Sequence, residues 1–316
     1  MKRQTLTFSQ KVKNEILQNE KSAEPCCNSA YLAALIRGAG SLAINNSGLG
    51  FELATSSLET LKFANQLLKR MNRGERDIVV SSKSKSLYTM ECFDTGLMFE
   101  LGIVCRDGEG LVQIGGIEKY LEAAPYCKKS FVKGMFLSCG SITVPEPKNG
   151  QNTGFHMEFQ LTDEKIAEEF AKLLYGEGFS FKVTHRGSKS AVYLKDKDVI
   201  SDMVVYLGAS ASRLELENVL ILRDIRNTAN RQSNCTTANI DRSLDAAENQ
   251  VEAITKLIER GKLNLLDERL KKTADLRMEN IDEPLDSLAK KLGISKSGVN
   301  HRMRKLIELA EEPEDE

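Results

Sequence analysis

Apolar residues recur in two long and similar blocks along the chain. Tyr31–Ile44 reads Y-L-A-A-L-I-R-G-A-G-S-L-A-I, and Phe131–Val144 reads F-V-K-G-M-F-L-S-C-G-S-I-T-V. Gly40 and Gly140 are 100 residues apart, and each begins a Gly-Ser-apolar sequence. Each block predicts a helix of small and apolar residues that ends at a glycine and is followed by a strand.

Small residues lie at helical spacing in both blocks, at Ala34 and Gly38 and again at Gly134 and Ser138. Small side chains allow two helix backbones to approach closely. We therefore expect the two helices to pack against each other at a pseudo-two-fold axis.

The sequence after each block repeats the same order of elements. Amphipathic helices capped by Ser57 and by Asp163 alternate with short apolar strands and with turns rich in Asn and Gly. Each half is therefore predicted to be α-β-β-α-β-β-α. In the first half we expect a strand at 77–82 and a closing helix from Thr95 to about Val104, and a helix capped at Ser9 is expected ahead of both halves.

Composition excludes several classes of protein. The 316 residues are 41% apolar and 28% charged, as in ordinary globular proteins. No apolar run is long enough to cross a bilayer, and the N-terminal sequence M-K-R-Q-T-L-T-F-S lacks the apolar core of a signal peptide. Seven irregularly placed cysteines predict no disulfide framework and favour a reducing compartment. Because adjacent Cys26 and Cys27 do not have zinc-ligand spacing and no C-x-x-C occurs, we expect neither a metal nor a cofactor.

The C-terminal region is predicted to be helical throughout. Residues 241–260 form an amphipathic pattern that ends at Gly261, and a further helix is expected at about 265–273. Beyond Pro284, the apolar residues Leu288, Leu292 and Val299 and the turn residue Gly293 have the spacing of a helix-turn-helix. Ser295 is the expected cap of its second helix.

Positive charge is concentrated on this motif. Between Ser287 and Ile307 there are six Lys and Arg residues and no Asp or Glu, although the net charge of the whole chain is −1. Such a concentration is typical of a surface that binds a phosphate backbone. If the second helix enters the major groove, we expect its first residues to read bases and its later cations to contact phosphates. The candidates are Ser295, Lys296, Ser297, Asn300 and His301 near the start of the helix, Arg302, Arg304 and Lys305 nearer phosphates, and Lys290 and Lys291 as secondary candidates.

Two other interpretations apply to this region. A solvated helical hairpin would also carry many charges, and His301 is equally consistent with an ordinary exposed helix residue.

A second group of donors lies in the segment that connects the two regions. If this segment is helical, spacings of three and four place its Arg and Asn side chains near one face, where they would suit phosphate oxygens and base edges. The alternative is an interdomain linker whose Asn residues cap helices and turns. The secondary candidates here are Arg223, Arg226, Asn227, Asn230 and Arg231.

The first block resembles a known catalytic motif. Leu32–Gly40, L-A-A-L-I-R-G-A-G, is similar to the L-A-G-L-I-D-A-D-G signature of homing endonucleases, which have the same α-β-β-α-β-β-α halves. In that family the eighth motif position is an acid that binds the divalent cation for phosphodiester cleavage. This chain has Ala39 and Cys139 there, and neither offers the hard oxygen ligand that Mg²⁺ prefers. We therefore expect the fold to be kept and the nuclease chemistry to be lost.

The expected fold class is α+β, with tandem pseudo-two-fold LAGLIDADG-like α-β-β-α-β-β-α repeats followed by an all-α helix-turn-helix domain. The predicted segments are an N-terminal helix (1–21), the repeats (22–208), an Arg/Asn-rich connector (209–240), the helix-turn-helix domain (241–310) and an acidic tail (311–316). Between Ser22 and Gly208, 21 Lys and Arg residues face 22 Asp and Glu residues. Because a DNA clamp normally carries excess cations, we expect the helix-turn-helix to supply most DNA affinity and the repeats mainly to bind protein or to aid DNA contact weakly.

The whole arrangement resembles the WhiA family of bacterial regulators. The most specific matches are F-S-Q-K-V-K-N-E-I near the N-terminus and R-N-T-A-N-R-Q-S-N-C-T-T-A-N in the connector. The resemblance implies a cytoplasmic, nucleoid-associated protein of Gram-positive bacteria that binds double-stranded DNA. It also implies a non-catalytic transcriptional regulator linked to cell division, chromosome segregation or sporulation. The alternatives are a scaffold that recruits division or transcription proteins through the repeats, and a nuclease that uses carboxylates outside the motif.

Overall fold

The computed structural model describes residues 6–20, 24–80, 87–108, 110–145 and 154–312. The chain divides into two compact units, Met1–Ile221 and Leu222–Glu316, which we call the repeat unit and the C-terminal unit. Residues 313–316 of the expected acidic tail lie outside the described ranges.

Twelve α-helices and ten strands are described in these ranges. The helices are α1 Phe8–Asn19, α2 Pro25–Ala39, α3 Leu58–Arg70, α4 Thr95–Glu100, α5 Glu118–Leu121, α6 Pro125–Cys139, α7 Glu164–Gly176, α8 Lys197–Tyr206, α9 Ser210–Glu259, α10 Glu268–Glu279, α11 Leu285–Leu292 and α12 Lys296–Glu311. The strands are β1 Gly40–Asn45, β2 Gly48–Thr55, β3 Ile78–Val80, β4 Tyr88–Phe93, β5 Val104–Asp107, β6 Gly110–Gln113, β7 Gly140–Thr143, β8 His156–Leu161, β9 Lys182–Arg186 and β10 Lys189–Leu194.

The repeat unit contains two four-stranded antiparallel sheets of identical topology. The first has the order β1-β2-β4-β3 and the second has the order β7-β8-β10-β9. Each begins at the glycine that follows a repeat helix: Gly40 pairs with Leu53, and Gly140 pairs with Phe159. The predicted internal repeat and fold class are confirmed.

Helices α2 and α6 pack directly against each other through their small residues. A Cβ atom added to Gly134 would lie 2.7 Å from the Cβ of Ala34 and 2.8 Å from the carbonyl oxygen of Tyr31. One added to Gly38 would lie 2.0 Å from the Oγ of Ser138. All three distances are shorter than van der Waals contact, so the two helix backbones approach closely at their small residues, as the sequence predicted.

Helix α1 is part of the repeat unit, because Val12 and Ile16 are buried in its core. Its cap is Thr7, which forms a capping box with Gln10, and the expected cap at Ser9 is wrong. Ser9 instead bonds both backbone groups of Ile142: its Oγ donates to the carbonyl at 2.8 Å and accepts from the N–H at 2.7 Å.

The expected helix from Thr95 to about Val104 is also too long. Helix α4 ends at Glu100, and Gly102 follows with a φ of 68°. This left-handed conformation ends the helix, and Val104 begins an unpredicted hairpin in which it pairs with Gln113. The strand expected at 77–82 is observed as Ile78–Val80, and residues 81 and 82 lie outside the described ranges.

The segment that was expected to be a connector is helical. Helix α9 runs without interruption from Ser210 to Glu259, so the helix expected from Asp241 is its second half, and the two units divide within it. Glu15 of α1 caps its start: the carboxylate accepts hydrogen bonds from the Ala211 N–H at 2.7 Å and the Ser212 N–H at 2.9 Å.

The C-terminal unit has its own core. The last turns of α9 contribute Ala253, Ile254 and Leu257, and these pack with apolar residues of α10, α11 and α12. The helix expected at 265–273 is observed as α10, which starts later because the Asp267 side chain caps it by accepting from the Leu270 N–H at 2.8 Å. No helix in the described ranges has both the length and the apolar character needed to cross a membrane.

Candidate nucleic-acid interface

The turn between α11 and α12 has the geometry that the sequence predicted. Gly293 ends α11 with a φ of 68°, and the N–H of Ile294 donates to the carbonyl of Ala289 at 3.1 Å. The Oγ of Ser295 then accepts from the N–H of Gly298 at 3.1 Å and caps α12. These local bonds fix α12 relative to α11 as a helix-turn-helix.

One face of α12 packs in the core and leaves the opposite face exposed. Val299, Met303, Leu306 and Ala310 are buried, at helical spacings of three and four. Exposed side chains therefore follow the same spacing on the other face. They include the predicted base-reading and phosphate-contacting candidates Lys296, Ser297, His301, Arg304 and Lys305, with Ser295 exposed at the cap and Asn300 half-buried beside them.

Acidic residues just upstream neutralise part of the charge of this motif. The Nζ of Lys296 lies 2.8 Å from a carboxylate oxygen of Asp286, and that of Lys291 lies 2.8 Å from Glu283. The hydrogen bond from Lys291 holds the pKa of Glu283 below its ordinary value. Because these acids precede Ser287, the linear window that began there missed them.

Arg302 contacts the neighbouring helix. Its half-buried guanidinium donates to the Oγ1 of Thr273 at 3.2 Å and to the carbonyl of Arg269 at 3.4 Å, both on α10. This contact fixes α12 against α10, so the role of Arg302 at phosphates stays a prediction. The exposed cations Arg304 and Lys305 lie one turn or less further along α12, and Lys290 is exposed on α11.

Sequence reasoning missed the buried Arg277, whose exposure is 1%. Its guanidinium donates to the carbonyls of Asn280, Ile281 and Glu283 at 3.3, 3.2 and 2.7 Å. Burial lowers the pKa of Arg277. These bonds satisfy backbone carbonyls of the turn that leads into α11, so the Arg277 side chain helps to position the helix-turn-helix. A lone Arg in a charged stretch gives no sequence signal for such a role.

The secondary candidates in the connector lie on a helix, which is the condition under which their spacing places them near one face. Residues 224–237 of α9 are all exposed, and Arg223 is half-buried. A helix that is exposed on every face has donors available around its whole circumference. The placement brings Arg223, Arg226, Asn227, Asn230 and Arg231 onto consecutive turns, and their role in binding stays a prediction.

The former catalytic positions lie at the C-terminal ends of α2 and α6. Ala39 presents a methyl group, and the thiol of Cys139 donates to the carbonyl of Met135 at 3.2 Å. Burial raises the pKa of Cys139 to about 12, so the thiol stays neutral at physiological pH. Within the described ranges, the cluster of three potential metal ligands is formed by cysteines elsewhere and not by carboxylates at these helix ends.

Each sheet has a groove on one face, and the two grooves differ in charge. The first groove is lined by Arg76, Asp77, Val79, Glu91 and neighbours. Among the residues that the structure describes, the second groove has more cations, with Arg186, Lys189 and Lys195 against the single acid Glu158. Its lining also includes His156, Gln160 and Thr184.

The tandem halves, the acid-free helix ends and the helix-turn-helix together define a degenerate LAGLIDADG-like scaffold joined to a nucleic-acid-binding domain. Three family descriptions match in sequence: the WhiA N-terminal LAGLIDADG-like domain at residues 25–88, the WhiA LAGLIDADG-like domain at 128–226 and the WhiA C-terminal HTH domain at 229–310. The chain belongs to the WhiA family.

Relatives match along the full length. "Probable cell division protein WhiA" of Desulfitobacterium hafniense (strain Y51) is 35% identical over 319 residues, which cover 98% of each chain. The protein of the same name from Clostridium tetani is 31% identical over 318 residues, covering 97% of this chain and 98% of its own. The crystal structure of full-length DUF199/WhiA from "Thermatoga maritima" has a TM-score of 0.58 at 22% identity and covers 98% of this chain and 100% of its own, which supports the fold.

Proposed function

We propose that this protein is a non-catalytic regulator of transcription that binds double-stranded DNA through α11 and α12. We further propose that it acts in the cytoplasm, on the nucleoid, in cell division, chromosome segregation or sporulation. The helix-turn-helix geometry and the names of the full-length relatives support this proposal.

The observation that carries the proposal is the exposed face at the start of α12. Ser297 and His301 are one turn apart, and Arg304 and Lys305 follow one turn later. The N-terminal turns of a recognition helix are those that reach base edges, whereas cations further along meet the backbone. In our proposal, Ser297, Asn300 and His301 read bases and the two later cations bind phosphates.

The phosphate contacts are tested by the double variant Arg304→Ala, Lys305→Ala in the full-length protein. Each lost phosphate contact lowers the slope of log affinity against log salt concentration by about 0.9, so we expect the slope to fall by about 2 on every DNA sequence. Fluorescence anisotropy over a range of salt concentrations measures this slope.

The matched control is Lys256→Ala, Lys272→Ala, which removes the same charge from exposed positions on α9 and α10 of the same unit. An equal loss in both double variants would show that net charge alone drives binding, and would contradict an interface on α12.

Base reading is tested separately by Asn300→Ala. We expect broader sequence selection from a random DNA library, with discrimination at one position reduced by about 1–3 kcal/mol. An unchanged preference would remove Asn300 from the set of base-reading residues.

A scaffold role for the repeat unit is the second candidate, and one observation favours it. The first sheet exposes apolar side chains on its edge strands: Ile44 is 79% exposed on β1 and Val79 is 58% exposed on β3. Exposed apolar positions are typical of protein-binding surfaces. Crosslinking in cells, compared between Ile44→Lys, Val79→Lys and the hairpin control Val112→Lys, tests this role. A crosslinking pattern shared by all three variants and the parent protein would contradict it.

The non-catalytic assignment is tested with plasmid DNA and Mg²⁺. We expect the purified protein to leave the plasmid intact, because Ala39 and Cys139 supply no carboxylate. Cleavage that stops on chelation would instead support the nuclease alternative.

A further inference from the structure

Three cysteines meet at the N-terminal ends of the central helix pair. The Sγ atoms of Cys26, Cys27 and Cys127 all lie within 4.8 Å of one another. Cys27 and Cys127 are buried, and Cys26 is exposed. This thiol trio lies at the opposite end of α2 and α6 from Ala39 and Cys139.

The internal repeat places Cys127 beside Cys26 and Cys27, although it lies 100 residues after Cys27 in the sequence. Pro25 and Pro125 are the first residues of α2 and α6, and Cys27 and Cys127 are both two residues further on. Because the helices pack along the pseudo-two-fold axis, equivalent positions 100 residues apart face each other. The expectation of no metal rested on the spacing of Cys26 and Cys27 and on the absence of C-x-x-C, and the fold adds Cys127 from the other half.

The surroundings of the trio favour a bound cation. Both helices present their N-terminal ends here, and the positive end of a helix dipole stabilises thiolates. Three thiolates within 4.8 Å of one another would repel, and a divalent cation between the sulfurs would remove that repulsion.

We propose that Cys26, Cys27 and Cys127 bind one Zn²⁺ ion as three thiolates. Zn–S bonds of about 2.3 Å in tetrahedral geometry place sulfur atoms about 3.8 Å apart, so each pair needs to approach by about 1 Å or less. Thiolates select soft and borderline ions over Mg²⁺ or Ca²⁺. The exposed position of Cys26 gives the ion an entry path and leaves the fourth ligand position to water.

The binding step is an exchange of protons for a metal. Three S–H protons pass to solvent, three Zn–S bonds form, and no electrons are transferred. Two ligands come from the first half of the repeat and one from the second. The ion therefore links the two halves at the N-terminal end of the helix pair.

Tag-free, full-length protein that has been reduced and treated with chelator is the material for the test. Titration with Zn²⁺ against a chromophoric chelator is expected to give one ion per chain. Titration with Co²⁺ is expected to give the charge-transfer absorption of sulfur ligation. Cys26→Ser and Cys127→Ser should each weaken the affinity by more than about 10-fold, since even a lost outer-shell partner costs that much.

Cys26→Ser keeps the test decisive if Cys127→Ser fails to fold, because Cys26 is exposed. Cys105→Ser and Cys235→Ser, which alter exposed cysteines outside the trio, are the matched controls and should bind as the parent protein does. Two results would overturn the proposal. The first is Zn²⁺ affinity that Cys26→Ser leaves unchanged. The second is a reduced parent protein that binds no Zn²⁺, even if two of its three cysteines form a disulfide in air.

Discussion

The two halves of the repeat unit have the same strand order, yet their grooves differ in charge. The first groove contains Asp77 and Glu91 with Arg76, whereas the second contains Arg186 and Lys189 with few acids. The charged groove residues are exposed or half-buried, so substitutions there cost little folding free energy. Helix-pair residues are buried, and their sizes are restricted by packing. The buried helix pair therefore preserves the fold, while the grooves are free to differ in charge and in function.

The helix pair itself is asymmetric at each close contact. Gly134 of the second half faces Ala34 of the first, and Gly38 of the first half faces Ser138 of the second. Each contact therefore has one glycine, supplied by opposite halves. The neighbours differ as well: Gly134 meets a backbone oxygen and a fixed Cβ, whereas Gly38 meets one fixed Cβ, that of Ser138, and the rotatable hydroxyl of the same side chain.

The largest expected effect is that of Gly134→Ala on stability. Its new Cβ would lie 2.7 Å from the Ala34 Cβ and 2.8 Å from the Tyr31 carbonyl, and neither can move without a backbone shift. We expect the free energy of unfolding to fall by about 3 kcal/mol. Urea unfolding followed by circular dichroism measures the loss.

Two further glycine variants complete this test. Gly38→Ala should cost about 2 kcal/mol, because the Ser138 hydroxyl can rotate away but the Ser138 Cβ stays 2.9 Å from the new Cβ. Gly176→Ala, where no atom lies within 4 Å of the new Cβ, should gain about 0.5 kcal/mol. Equal losses for Gly134→Ala and Gly38→Ala would contradict the difference between the two contacts.

The next prediction concerns the difference between the grooves. Arg186→Glu with Lys189→Glu reverses two cations of the second groove, and we expect DNA affinity at low salt to fall about 10-fold. Arg76→Glu, Lys62→Glu adds the same negative charge to the first half and should change affinity little. Anisotropy titrations compare them, and equal losses would show that the grooves are equivalent for DNA.

A smaller effect is expected from Glu15→Ala, which acts on a helix outside the repeated order. The Glu15 carboxylate caps α9 through the N–H groups of Ala211 and Ser212, and its removal should cost about 1–2 kcal/mol. Lys11→Ala removes the exposed pair between Lys11 and Glu215 on the same two helices and should cost about 0.5 kcal/mol or less. Hydrogen exchange at 210–214 reports the capping effect, and an unchanged exchange rate in Glu15→Ala would exclude it.

The smallest expected effect concerns Cys139, the former catalytic position of the second half. With a pKa of about 12, the Cys139 thiol should resist alkylation at pH 8, whereas the exposed thiol of Cys105 should react readily. Reactivity of Cys139 should appear as the pH rises towards 12 or as the protein unfolds. Peptide mass spectrometry after brief treatment with iodoacetamide measures both sites, and rapid labelling of Cys139 at pH 8 would contradict its raised pKa.

Local sequence patterns predicted the elements whose determinants are close in sequence. The α11–α12 turn depends on Gly293 and Ser295, which are two residues apart, and each has the predicted role. The 100-residue repeat was visible because both copies retain a glycine and an apolar pattern.

Partners that are distant in sequence were not predictable. Nothing near Glu15 indicates that it caps a helix almost 200 residues later. Nothing near Arg277 indicates that its guanidinium donates to three carbonyls. Nothing near Cys127 in the sequence indicates that it lies beside Cys26. Ion pairs were also hard to predict at shorter separations, since Asp286 lies ten residues before Lys296, with which it pairs. Folding brings these groups together, and a short stretch of sequence contains only one member of each pair.

The one-glycine rule at each close contact of α2 and α6 also determines which halves can associate. Two copies of the first half would place Ala34 against Ala34, where the backbones leave room for one methyl group, and Gly38 against Gly38, where a void would remain. Two copies of the second half would place hydroxyl against hydroxyl at Ser138 and leave a gap at Gly134. Each half therefore fits the other better than a copy of itself, and the duplicated sequence disfavours the pairing of like halves from two chains.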